Sequence, residues 1–178
     1  MKNISDSQKI FEVSKIWKEA SYNFVFWDKV DINWDEEYKK ALERVLKTKN
    51  LYEYYRELAR FVTLLGDGHT GVIFPNEWYQ DPEYFSMIPV ILKKIGTEIV
   101  VIDTTEEMKE SVPLYSVLKK INNVDIDVYV RENCYPYIWH ENEASCAFML
   151  MNEIMFGLRG STSMFTFEKD GQTFNVQL

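Results

Sequence analysis

The spacing of apolar residues in this chain changes from a helical repeat to a strand repeat, and the change falls at LLGDGHTGVIFP, residues 64–75. Before it, Leu51, Tyr54, Tyr55, Leu58, Phe61, Val62 and Leu65 recur every three or four positions, as one buried face of a helix requires. After it, SMIPVILKKIGTEIVVID reads as two strands around a turn near Gly96. Two periods on either side of a glycine-rich break predict an α+β chain, with a helical domain over 1–75, a second domain over 76–178, and a boundary near residues 75–86.

The helical part resolves into three segments. Residues 7–24 carry Phe11, Ser14, Trp17 and Ser21 on one stripe, with Ile10, Val13, Ile16 and Ala20 beside it. FVFWDKVDINW breaks that pattern. Asn33 with Glu36, and Asn50 with Glu53, have the spacing of capping boxes and open the second and third helices. Gly66 suits the position just past a helix end. Three helices with short connections predict a small bundle. Beyond Pro75, NEWYQDPEYF reads as a loop. Val117–Ile121 reads as a strand turning at Asn122-Asn123 into a short segment toward Val130. Residues 143–156 read as a helix closed by GLRG, and the end as a hairpin around Asp170-Gly171.

Composition narrows the function classes. Asp and Glu number 28 against 20 Lys and Arg. An acidic chain without a basic stripe argues against nucleic acid. No apolar run is long enough to span a bilayer. The N-terminus has no apolar signal-like segment, which leaves the compartment open between the cytoplasm and, for a trimmed chain, the extracytoplasmic space. Cys134 and Cys146 are isolated, with no metal-ligand spacing, so neither a metal nor another cofactor is expected.

Attention therefore falls on His69, one of two histidines. A histidine after a helix end can bond the last carbonyls, or it can take a proton from a substrate or nucleophile. Gly68 and Gly71 flank it and leave space around an imidazole; Asp67 can orient the ring or cap the turn.

At these residues the chain resembles the tricorn-type and C-terminal-processing serine peptidases. The matching positions are Phe24, Asp28, Val30 and Trp34, then Tyr55, Leu58, Phe61, Leu65, Asp67, Gly68, His69 and Thr70. LYSVLKKINNVDI is similar to a stretch of the family's PDZ-like domain, and EKDGQTFNVQL to its closing hairpin. The resemblance implies a PDZ-like second domain and makes His69 the general base, with Asp67 and Gly68 as its supporting turn. Gly68 stands where the tricorn branch carries a serine. The resemblance also implies a polypeptide substrate and a C-terminal domain supplying the nucleophilic serine, without which the chain is inactive; a homo-oligomer fits this picture. Peptide would add along the strand at 88–93, beside the helix at 143–156, placing Ile88, Val90 and Met149 at the binding groove. The alternative is a non-catalytic peptide- or ligand-binding scaffold of the same fold.

Other candidates have plainer explanations. Ser161 and Ser163 lack a nucleophile elbow and suit a turn. His140 falls in a loop among aromatics. Asp103, Glu106, Glu107 and Glu110 lack the order of a calcium loop and read as a solvated acidic turn. Met149, Met151, Met155 and Phe156 read as core or groove wall.

Overall fold

The computed structural model describes residues 4–80, 84–140 and 142–178. The chain divides into two compact units. One comprises Met1–Phe74 with Pro136–Glu141, the other Pro75–Tyr135 with Asn142–Leu178.

In the first unit, α1 spans Asp6–Asn23, α2 spans Trp34–Lys47 and α3 spans Leu51–Thr63. Each begins at a side-chain cap. Ser5, Asn33 and Asn50 accept the backbone N–H of Gln8, Glu36 and Glu53 at 3.2, 3.1 and 2.9 Å, satisfying donors that a helix start leaves without partners. The three helices share a core of Val13, Trp34, Ala41, Val45, Tyr54, Leu58, Phe61 and Leu65. At its centre Trp34 stacks on Phe61, with ring centroids 4.2 Å apart and planes within 6°. The Trp34 indole N–H donates to the Trp17 carbonyl at 3.1 Å, so its one polar atom is satisfied.

The buried face of α1 is narrower than its apolar count suggests. Val13 and Lys9 are buried, whereas Ile10 and Phe11 are exposed. Lys9 goes inside because its stem packs while its ammonium donates to the Thr48 carbonyl at 2.9 Å, at the C-terminal end of α2.

In the second unit, α4 (Asn76–Gln80) replaces part of the expected loop. Trp78 explains this. Its backbone N–H donates to Pro75 at 2.9 Å, and its ring is buried and stacked on Tyr84. One helical turn gains an apolar anchor that a polar-looking segment does not advertise. The rest of that stretch, residues 81–83, lies outside the described residues.

Next come β1 (Phe85–Met87), β2 (Val90–Ile95), β3 (Glu98–Thr104), β4 (Val117–Ile121) and β5 (Val124–Asp125). The segment toward Val130 is helical: α5 (Ile126–Tyr129) runs into a π-helical turn, Val130–Cys134, that buries both of its end residues. Then follow α6 (Glu143–Met155), β6 (Phe156–Leu158), β7 (Met164–Lys169) and β8 (Gln172–Gln177). Strands β2-β3-β4-β7-β8 form an antiparallel sheet in that order, with β5 beside β4. Its core, shared with α6, includes Val90, Leu92, Val101, Leu118, Phe167, Leu150 and Ile154.

Both tight turns have the sequences their geometry needs. Asn122 and Asn123 have φ of 52° and 65°, Asp170 and Gly171 of 51° and 77°, left-handed values that Asn, Asp and Gly tolerate. GLRG does not simply close α6. Phe156, Gly157 and Leu158 pair with Met87, Ser86 and Phe85. Phe156 is therefore a strand residue, and it is exposed.

Candidate functional site

Helix α3 stops where Gly66 adopts φ +63° and donates its N–H to Thr63 at 3.0 Å. Leu65, only 3% exposed, fixes the chain to the core just before that point. Residues 67–70 then close a turn, with the Thr70 N–H donating to the Asp67 carbonyl at 3.3 Å. Oδ2 of Asp67 accepts the backbone N–H of His69 at 3.2 Å and also the Thr70 hydroxyl. Asp67 thus holds the turn from its own side chain, the Asx geometry that suits aspartate here. His69 is carried at the tip and is exposed.

The far side of the turn is fixed by Trp139, which no local pattern singles out. Gly71 lies against the indole of Trp139: a Cβ built at Gly71 would sit 2.7 Å from Cδ2 and 2.8 Å from Cε2. Glycine at 71 is explained by that contact, not by space left for the imidazole. Trp139 belongs to the segment that groups with the helices. Beside it Ile138 is 2% exposed, and the Arg56 guanidinium lies 3.6 Å from the centre of the Tyr137 ring, a cation–π contact. The apolar and aromatic character of YIW would have been the signal, but nothing in its spacing says where it packs.

Between the α1–α2 connection and the turn after α3 lies a cavity of about 510 Å³. His69 and Gly68 form part of its wall, with Phe24, Ile32, Leu64 and Leu65.

The other expected site residues lie in the second unit. Val90 is 1% exposed, with its side chain in the core. Ile88 donates its backbone N–H to the Met155 carbonyl at 2.9 Å, and Leu92 donates to Met155 Sδ at 3.2 Å. Met149 is half-buried on α6. β2 is an edge of its sheet, and Met155 occupies backbone donors of Ile88 and Leu92.

The two cysteines are free; burial pushes the Cys146 thiol up, against its reactivity. Ser161 donates to the Leu158 carbonyl at 2.6 Å within its own turn, and Ser163 accepts at 3.2 Å from Asn122, in the turn between β4 and β5. His140 is exposed. In the acidic turn Asp103 accepts the Thr104 N–H at 2.8 Å, and Glu106 pairs with Lys109. Among the described residues no helix is long and apolar enough to cross a membrane.

No protein-family model and no curated protein matches the chain. Solved structures do. Mature CPAF complexed with lactacystin aligns with 97% of this chain at a TM-score of 0.75 and 13% identity. Mature CPAF alone gives 0.73, and a serine-to-alanine mutant of CPAF 0.69 at 15% identity. The photosystem II D1 C-terminal processing protease aligns with 99% of the chain, but at a TM-score of 0.39, too low to carry weight. The chain spans about a third of the CPAF chain, 34% in the first alignment. At such identity the likeness is one of fold, and over nearly its whole length this chain shares the fold of that part of CPAF.

Proposed function

We propose that this chain is the N-terminal portion of a serine-type endopeptidase and that His69 is its general base. One observation carries the reading: an exposed imidazole sits on a turn fixed on both sides, by Asp67 and Leu65 before it and by the Gly71–Trp139 contact after it. A general base has to be reachable and held still. The fold likeness to CPAF, in its mature form and as a serine-to-alanine mutant, supports the same reading.

In the reaction, the imidazole takes the proton of a serine hydroxyl as that oxygen attacks the peptide carbonyl, and then returns it to the departing amine. The serine and the oxyanion donors come from a further, C-terminal catalytic domain. An acyl-transfer site needs nucleophile, base and oxyanion donors together, so the 178-residue chain alone is inactive. The second unit is a PDZ-like domain for polypeptide substrate, which adds along β2 beside α6, near Ile88, Val90 and Met149, by displacing Met155 from the backbone N–H groups of Ile88 and Leu92.

The test compares His69→Ala in two chains. In the 178-residue chain thermal stability should be nearly unchanged; in a chain extended through the serine domain, kcat/KM should fall by orders of magnitude. Near-normal activity of the extended variant would remove His69 as the base and leave a binding scaffold.

A further inference from the structure

FVFWDKVDINW interrupts the helical pattern between α1 and α2, and while its last residue, Trp34, enters the centre of the core, Phe24, Phe26 and Trp27 stay outside it. Phe24 is half-buried and meets Phe26 and Trp27 edge to face, at centroid distances of 5.9 and 5.4 Å. Phe26 is 41% exposed, and the Lys29 ammonium lies 4.7 Å from its ring centre. Together with the turn after α3, this stretch encloses the cavity of about 510 Å³ whose wall includes His69.

The cavity is graded. Leu65 is buried, and Phe24, Val30, Ile32 and Leu64 are half-buried, whereas Lys29 and Asp31 are exposed. Most of the apolar groups are thus covered, with Asp67 and Gly68 beside them, while Phe26, His69 and the two charges reach solvent. Lys29 and Asp31 bear opposite charges, and the Asp67 carboxylate is engaged in its own turn. The interior favours neither a cation nor an anion. Its volume falls in the range of small-molecule pockets, which are mostly apolar with a few polar groups at fixed points.

We infer that this cavity is a specificity pocket for one large apolar side chain, of the Phe or Leu class, of a polypeptide substrate. The inference rests on His69 acting in peptide hydrolysis, and it adds what the site selects. Because His69 forms part of the wall, a residue seated here carries its own or its neighbour's peptide carbonyl to the imidazole. The edge-to-face rings make a stiff wall, so the pocket needs little ordering on binding.

The experiment titrates the 178-residue chain with N-acetyl amides of Phe, Leu, Lys and Asp and follows backbone N–H signals by NMR. A single side chain in a pocket should bind with Kd on the order of 1–10 mM. The Phe and Leu amides should give saturable shifts at Ile32, Leu65, Gly66 and His69; the Lys and Asp amides should not. Val30→Arg, which fills the pocket, should weaken binding by about tenfold or more. Phe26→Ser, at the exposed ring, should weaken it as well. Ile73→Ser, at a side chain 79% exposed and outside the wall, should change nothing. Equal or tighter binding of the Lys or Asp amide overturns the proposal, as do shifts confined to other residues or none up to about 20 mM. Failure here with activity still dependent on His69 removes the pocket and spares the base; apolar binding with activity independent of His69 does the reverse.

Discussion

Gly71 and Trp139 touch so closely that the residue following the His69 turn has room for a hydrogen atom alone; a Cβ there would lie 2.7 Å from the indole. Gly71→Ala should therefore destabilise the protein by about 1–3 kcal/mol, as overpacking does, because the methyl meets the half-buried indole ring. Trp139→Ala removes the ring and should make Gly71→Ala nearly neutral in the double variant. Thermal or urea unfolding of the four proteins gives the coupling directly. An equal cost with and without the indole would mean that the contact is not what selects glycine.

The contact also marks where sequence reasoning reaches its limit. α1 was legible from its apolar spacing, and α2 and α3 from their caps as well, because these signals are local: Asn33 and Asn50 act within three residues of themselves. The hairpin at Asp170-Gly171 was legible for the same reason. Trp139 meets Gly71 across 68 positions, and no periodicity records such a pairing. β6 is three residues long, too short to show a repeat. Lys9 was invisible because a buried lysine is read from its partner, here the Thr48 carbonyl 39 positions away. Of the candidate site, the turn and its histidine could be read from LGDGHT, while the Trp139 contact that fixes the turn could not.

Lys9 supplies the second prediction. Its side chain is 6% exposed, and its ammonium satisfies the last turn of α2 through Thr48. Lys9→Met keeps the stem but leaves that carbonyl without its donor, a change that should cost about 1–3 kcal/mol in urea unfolding. Asp6 lies 3.7 Å away but is 72% exposed. Asp6→Asn should accordingly move stability by less than about 0.5 kcal/mol. A larger effect at Asp6 than at Lys9 would show that the ion pair, not the helix end, is what matters.

Tyr54 gives the alkaline behaviour of the core. It is 1% exposed, and its hydroxyl donates to Glu12 at 2.8 Å. Burial, followed by that hydrogen bond to a carboxylate, pushes the phenol well above the usual tyrosine range. The folded protein holds this proton more tightly than the unfolded chain does. Its contribution to stability is complete below about pH 10, the ordinary tyrosine value, and is lost as pH rises beyond it. Tyr54→Phe should cost about 1–2 kcal/mol at neutral pH, through the lost hydrogen bond. The same variant should flatten the fall in stability above about pH 10, measured by urea unfolding between about pH 10 and about pH 12. An unchanged slope would assign the alkaline loss to other groups.

Asp67 separates holding the proposed base, His69, from being that base. Its carboxylate takes the backbone N–H of His69 and the hydroxyl of Thr70, so it acts on the shape of the turn. Asp67→Ala should cost about 1 kcal/mol, comparable to a lost cap, and should loosen residues 67–70, seen as faster amide exchange of His69 and Thr70. Asp67→Asn keeps an acceptor oxygen and should restore most of that order. In a chain extended through the proposed serine domain, Asp67→Ala should lower kcat/KM, though less than His69→Ala does, because a mobile imidazole would still reach the serine part of the time. Recovery by Asp67→Asn of both amide protection and activity would identify a positioning residue. Activity lost in Asp67→Asn while the turn stays ordered would point instead to a need for the negative charge itself, and the role drawn from the turn geometry would have to be given up.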